Sequence, residues 1–289
     1  MTTWLRKTLL PLMMALSLSS QLALGQSTVV IAIHDYAPYY NAKGQGLACD
    51  ILRAAYESVG TEVRFVSFPA RRAVVQLLYQ QVDAFAAGNL LTHGPDRNLL
   101  NWVPLFKART SWFYYRPRFE NIPIPSQLIE LRDYRLGVIV NSPFLDVYQR
   151  YSLNIVEIQT PYQLVQMARK GRIDFFEAAA LTGFQMIRQV DRDSIKQYGL
   201  FTWATPVVAL AFKKDFTRGQ HFRGQLEEGI RIIKDNGRYL QILESYWGVG
   251  NVPANVMTEE NPASTRNEID FDKFHSQPRN SYGKILESQ

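Results

Sequence analysis

Two kinds of apolar run alternate along this chain, and their order points to the architecture. Thr28–Ile33 (TVVIAI) is β-branched and of strand length, and His34-Asp35-Tyr36-Ala37-Pro38-Tyr39-Tyr40 ends it in an aromatic, proline-containing loop. Asp50 precedes Ile51, Leu52, Ala55 and Val59 at helical spacing, closed by Gly60. Thr61–Val66 alternates as a strand. Arg72–Gln81 carries Val74, Leu77 and Leu78 as a helix, and Val82–Gly88 is a buried strand ending in glycine. This β–α–β–α–β order predicts a parallel sheet with helices on its faces.

The pattern restarts at Arg135–Val140 (RLGVIV). After Asn141-Ser142-Pro143 come a helix through Leu145, Val147 and Tyr148, a strand at Asn154–Ile158, a helix at Pro161–Lys170 and a strand at Ile173–Ala178. Two similar α/β units are therefore expected rather than one continuous sheet. Ser111–Tyr115 is predicted to leave the first unit as an extended crossing, and Pro206–Phe212 to return. Phe222, Leu226, Ile230 and Ile233 then share one helical face. Gly237 stops that helix, and a last one carries Leu240, Leu243, Tyr246 and Trp247. A chain that crosses twice and comes home predicts two lobes on a two-strand hinge, with a ligand cleft between them. The expected boundaries are residues 26–115 with 206–254 for lobe 1 and 116–205 for lobe 2.

The ends change the picture. Arg6 and Lys7 precede an apolar run from Thr8 to about Leu18, which exits through Ala23-Leu24-Gly25. That order predicts a secretory signal at residues 1–25, cleaved after about Gly25, and hence a periplasmic location. The run is too short for a spanning helix, which needs about 20 apolar residues, so stable membrane insertion is not expected. The last stretch, 255–289, is polar and rich in breakers (Glu259, Glu260, Asn261, Pro262), and is predicted to be a weakly ordered tail.

Composition narrows the chemistry. A hydrophobic share of 46%, with 12% aromatics, supports a substantial core. The single cysteine, Cys49, can form no intramolecular disulfide and lies far from the leader, so a lipid anchor is not expected there. The net charge of +6 favours anionic or zwitterionic ligands through the long-range field. Nucleic acid is not expected: no Lys/Arg run, zinc-finger spacing or RNA-binding aromatic motif is present. The four histidines, His34, His93, His221 and His275, have no metal-ligand spacing, and the chain holds neither a nucleophile elbow nor a phosphate-binding glycine loop. No cofactor or metal is called for.

Four stretches together resemble the family 3 extracellular solute-binding proteins, the polar-amino-acid-binding type that serves ABC transporters. They are Tyr36-Ala37-Pro38-Tyr39, Gly46–Asp50, Gly171-Arg172-Ile173-Asp174, and Gly237-Arg238-Tyr239 through Tyr246-Trp247-Gly248. The similarity spans roughly Val29 to Pro253. It implies a periplasmic-binding-protein-like fold of type II and a solute held in the cleft.

Residue by residue, the resemblance implies that Tyr36 stacks on the solute, where a ring excludes water and covers an apolar or planar part. Arg97 stands in Thr92-His93-Gly94-Pro95-Asp96-Arg97 as a carboxylate-gripping guanidinium, although two residues are inserted relative to the family's spacing. Gly88, Asn89 and Thr92 belong to the same first-lobe rim. Arg71 and Arg72 are further candidates for an anion contact. In the second lobe, Asn141 and Ser142 occupy a turn whose amides could meet an anionic group, but Pro143 removes one donor.

The family's strand aspartate, which pairs with the ligand's α-ammonium, is Ala179 here. Glu177 lies two residues earlier on the same strand face and is the candidate substitute. The expectation is a monomeric receptor for a small polar or anionic solute, amino-acid-like or an organic acid, acting with an ABC permease or a membrane sensor in trans. No catalytic residue is assigned. The alternatives are a cyclohexadienyl-dehydratase-like enzyme, with Glu177 or Asp35 as the acid, and a cell-envelope accessory module.

Overall fold

The computed structural model describes residues 27–88, 98–140, 142, 144–190, 192–253 and 256. The expected leader and nearly all of the expected tail lie outside the described residues. Two five-stranded sheets form, each with a parallel half and an antiparallel half. Parallel strands need a crossover, and here helices supply it.

In the first lobe, β1 (Thr28–Ile33), α1 (Leu47–Glu57), β2 (Glu62–Ser67), α2 (Ala70–Leu78) and β3 (Ala84–Gly88) follow each other as the alternation predicts. β4 (Leu100–Lys107) completes this part of the chain. In the second lobe come β5 (Thr110–Tyr115), β6 (Arg135–Ile139), α3 (Leu145–Arg150), β7 (Asn154–Ile158), α4 (Pro161–Arg169), β8 (Phe175–Ala179), α5 (Ala180–Val190) and β9 (Tyr198–Ala204). The chain returns through β10 (Val207–Lys213) to α6 (Thr217–Asp235) and α7 (Arg238–Trp247), which pack beside α1. Strand order is β2-β1-β3-β10-β4 in one sheet and β7-β6-β8-β5-β9 in the other.

The first crossing falls earlier than the sequence predicts. Ser111–Tyr115 does not bridge the lobes: β5 pairs with β8 on one side and β9 on the other, inside the second sheet. Alternation explains the placement, because Trp112 and Phe113 bury into opposite faces of that sheet, in two separate cores. The crossings proper are Ala108–Arg109 and Thr205–Pro206, tied together by the Ala108 amide donating to the Pro206 carbonyl at 2.9 Å. β4, β9 and α5 carry no clear period, and the hydrophobic pattern does not predict them. Val256 also departs from the expected tail: it is fully buried in the first core, and its carbonyl accepts from the Lys107 amide at 2.7 Å.

The family-like stretches are structural in this fold. Gly46 has φ 124, and a Cβ there would lie 2.6 Å from the carbonyl oxygens of Pro38 and Tyr39. Those same carbonyls receive the Leu47 and Ala48 amides that open α1, so only glycine lets the aromatic turn sit on the helix end. Asp174 accepts from the Arg135 backbone amide at 2.8 Å and from Arg118 at 2.9 Å, joining the starts of β6 and β8. Partial burial works against its charge, but the bonds from Arg135 and Arg118 outweigh this and hold the carboxyl below its ordinary range. Tyr246 donates to Asp50 at 2.6 Å, fastening α7 to α1. Cys49 is buried in the first core, and burial pushes its thiol up to about 12, away from nucleophile chemistry.

Helices α1 and α6 approach closely at Gly229, where a Cβ would lie 2.1 Å from the Ala55 carbonyl oxygen. Gly229→Ala is expected to force the helices apart and cost about 1–3 kcal/mol, despite alanine's better helix propensity. Differential scanning calorimetry checks the sign.

Candidate functional site

The site forms where the aromatic turn after β1 meets the end of β8 and the start of α5. The turn closes on itself: the Tyr36 amide donates to the Tyr40 carbonyl at 2.8 Å and the Tyr40 amide to the Tyr36 carbonyl at 3.1 Å. The Ala37–Pro38 bond within it is cis. Tyr39 and Tyr40 point into the first core, whereas Tyr36 keeps 39% of its surface. The Tyr36 ring is stacked on Tyr39 at 5.6 Å and on His34 at 6.2 Å. It is a supported platform rather than a loose side chain.

From the other lobe, Glu177 faces it. Trp112 and Glu177 are direct partners across β5 and β8, so their side chains share one sheet face. The Ser142 hydroxyl donates to the Glu177 carboxylate at 3.1 Å. Tyr148, from α3, lies against Trp112 at 5.3 Å between ring centres, with its hydroxyl beside the same carboxylate. Burial pushes the Glu177 carboxyl up to about 7, and the groups at Ser142 and Tyr148 offset only part of that. Glu177 is thus a carboxyl at the seam between the lobes whose charged form burial disfavours.

Tyr36 reaches it from the first lobe. Its hydroxyl lies beside the Thr182 side chain and the Ala179 backbone and feels the Glu177 charge. The ring keeps 39% of its surface, but the hydroxyl end is enclosed at the seam, and that burial, with Glu177 adding to it, raises the phenol above its ordinary range, so it remains a neutral hydrogen-bonding group. His34, at the end of β1, is held neutral by burial, which drops it to about 4.

The structure brings together Tyr36, Ser142 and Glu177 from the sequence-based set. Arg71 and Arg72 are exposed on α2, with the Arg72 guanidinium 5.9 Å from the Phe68 ring. Gly88 ends β3, paired with Val208. Asn89, Thr92, Arg97 and Asn141 lie outside the described residues.

The sequence pattern did not single out Tyr148, Thr182 or Arg109. Arg109 is buried in the first crossing, donates to Thr202 at 2.9 Å, and its charge acts on Tyr39. Its signal was available: it is one basic residue inside the run Ala108-Arg109-Thr110-Ser111-Trp112-Phe113, where burial of the neighbours commits the guanidinium as well. Tyr148 and Thr182 gave no such signal, since hydroxyl groups on helices are common and only tertiary packing aims them.

Two sheets of matching strand order, joined by paired crossings with polar groups facing each other at the seam, define a two-lobe binding-protein architecture. No protein-family model and no curated protein matches this sequence. Solved structures do match. A histidine kinase sensor domain similar to periplasmic binding proteins aligns with TM-score 0.60 at 18% identity, over 77% of this chain and 97% of that one. An ancestral arginine-binding protein bound to arginine aligns with TM-score 0.58 at 15% identity, covering 77% and 99%. An ancestral amino-acid-binding protein, a precursor of cyclohexadienyl dehydratase, gives TM-score 0.57 at 14% identity, covering 76% and 95%. The chain has the periplasmic-binding-protein-like fold, the fold that its sequence motifs imply. Among the described residues no helix is long and apolar enough to cross a membrane.

Proposed function

We propose that this chain is a periplasmic solute receptor that closes its lobes on a small polar molecule held between Tyr36 and the Glu177–Ser142 pair. The observation that carries the reading is the juxtaposition across the lobes of an exposed, ring-supported tyrosine and a partly desolvated carboxylate. Aromatic cover and one well-placed charge are what a small-solute cleft needs to orient its ligand. The neighbours named above fit a binding role. Glu177 favours a solute with a hydrogen-bond donor or a positive group at that end. First-lobe anion contacts, with Arg97 foremost, remain part of the proposal, as does delivery to an ABC permease or a membrane sensor in trans.

A thermal-shift screen of amino acids, organic acids and amines on unloaded protein tests this, because a ligand that binds only the native state stabilises it. The expected result is a rise in melting temperature with at least one class. A flat response across all three removes the receptor reading for those solutes.

Glu177 also favours a second reading. A carboxyl near neutrality in a cleft is suited to general-acid work, and one structural neighbour is the precursor of a dehydratase. Turnover of cyclohexadienyl substrates, abolished by Glu177→Gln, would establish it. No turnover would leave the receptor reading alone.

A further inference from the structure

β5 sets Trp112 and Tyr114 on one face of the second sheet, and both sink into the same core. Trp112 is the partner of Glu177, whereas Tyr114 lies further from the crossings, opposite Gly199 of β9. Beyond it the strands give way to two short turns, Arg116–Arg118 and Arg192–Gln197. A hollow of about 430 Å³ opens beside them, lined by residues of both. It lies at the end of the sheet away from the crossings, and none of Tyr36, Ser142, Tyr148 or Glu177 lines it.

Tyr114 is the most deeply set polar residue of the lining. Its ring is held by Phe119 at 5.4 Å and Phe175 at 5.7 Å, and only 8% of its surface is exposed. The phenol lies across Gly199, where a Cβ would come within 2.4 Å of the hydroxyl oxygen, so a glycine in β9 makes the room for it. That hydroxyl bonds to no described residue. Packing has already stripped most of its water, so an acceptor brought from outside gains a hydrogen bond at little further desolvation cost.

The walls add further donors. The Arg116 Nε donates to the Tyr198 carbonyl at 3.1 Å, which fixes the guanidinium, while its two terminal nitrogens bond to no described residue. Lys196 is exposed and pairs with no described acid. The Gln197 carbonyl oxygen accepts from the Tyr115 hydroxyl at 2.7 Å, so the NH2 group is what Gln197 has left to offer. Against these stands one lining carboxylate, Glu120, and the surplus of one positive charge matches a monoanion. Phe119 and Ile124 supply apolar wall. A guanidinium fork suits a carboxylate, and an apolar wall suits the body that carries it. We propose that this hollow is a second ligand site, separate from the cleft, which takes a small monocarboxylate with an aromatic or apolar body. It does not rest on the receptor reading.

A ligand-observed NMR titration of phenylacetate, with 2-phenylacetamide as its neutral isostere, tests the site on the chain from Gln26 to Gln289. The exposed rim leaves the ligand partly solvated, so a dissociation constant of about 1 mM is expected, and micromolar solute fills the cleft alone. The amide should bind about tenfold more weakly, and Arg116→Gln should weaken phenylacetate by about the same factor. Tyr114→Phe should cost about fivefold, and Lys196→Gln, which disturbs no described contact, about threefold. Tyr36→Ala should leave this affinity unchanged. Four results overturn the site: no binding of phenylacetate, equal binding of the amide, an affinity indifferent to both Arg116→Gln and Lys196→Gln, or binding lost in Tyr36→Ala. The last would place the carboxylate in the cleft, whose own solute the thermal-shift screen reads separately.

Discussion

Glu177→Gln is expected to stabilise the folded chain by about 2–3 kcal/mol at about pH 8.5 while changing it little near pH 5. The carboxyl is raised from its ordinary 4.5 to about 7 by burial. Below the ordinary value both folded and unfolded chains carry the proton, and burial costs nothing. Between the two values the folded chain binds more protons than the unfolded one, so stability falls as pH rises. Above about 7 the penalty is complete. Glutamine keeps an oxygen to accept from Ser142 and removes the charge. Urea unfolding of both variants at the two pH values checks the prediction. A wild type whose stability rises with pH through this window would show that Glu177 is better solvated than its surroundings indicate.

Trp112→Ala is expected to cost about 3–5 kcal/mol, near the largest single loss available in the second lobe. The side chain has no exposed surface, and its ring packs on Tyr148 within the aromatic core that also holds Phe144 and Trp203. Among the described residues its indole nitrogen has no hydrogen-bond partner, so the expected loss is one of packing. Trp112→Phe should therefore retain most of the stability, about 1–2 kcal/mol below wild type. The difference between the two variants in chemical denaturation separates packing from hydrogen bonding. Trp112→Ala should also free Tyr148 to move from Glu177, and so loosen the second-lobe half of the site.

The lobes were legible because their local rules agree. The β-branched runs at Thr28–Ile33 and Arg135–Ile139, the helical spacing after Asp50, and glycines such as Gly46 that the backbone requires all point to one architecture. What was not legible is what depends on partners. Thr110–Tyr115 reads as an extended apolar segment in either lobe, and only the pairing with β8 and β9 assigns it to the second. Helix α5 begins at Ala180, directly after β8 ends at Ala179, within the run Ala178-Ala179-Ala180, so no change of composition marks the boundary.

The site divides along the same line. Alternation placed Glu177 on the face that Ala179 shares, and the structure sets both near Tyr36. That Tyr148 and Ser142 would converge on the same carboxylate could not be read from spacing, because they reach it from a helix and a turn that are distant in sequence.

A clamp that holds a small solute between Tyr36 and Glu177 should be visible by native mass spectrometry of the unloaded chain after incubation with a mixed pool of amino acids, organic acids and amines. The expected result is a single small-molecule adduct on the wild type that is lost in Tyr36→Ala and weakened in Glu177→Gln. An adduct retained equally by all three proteins, or bare protein throughout, would contradict it.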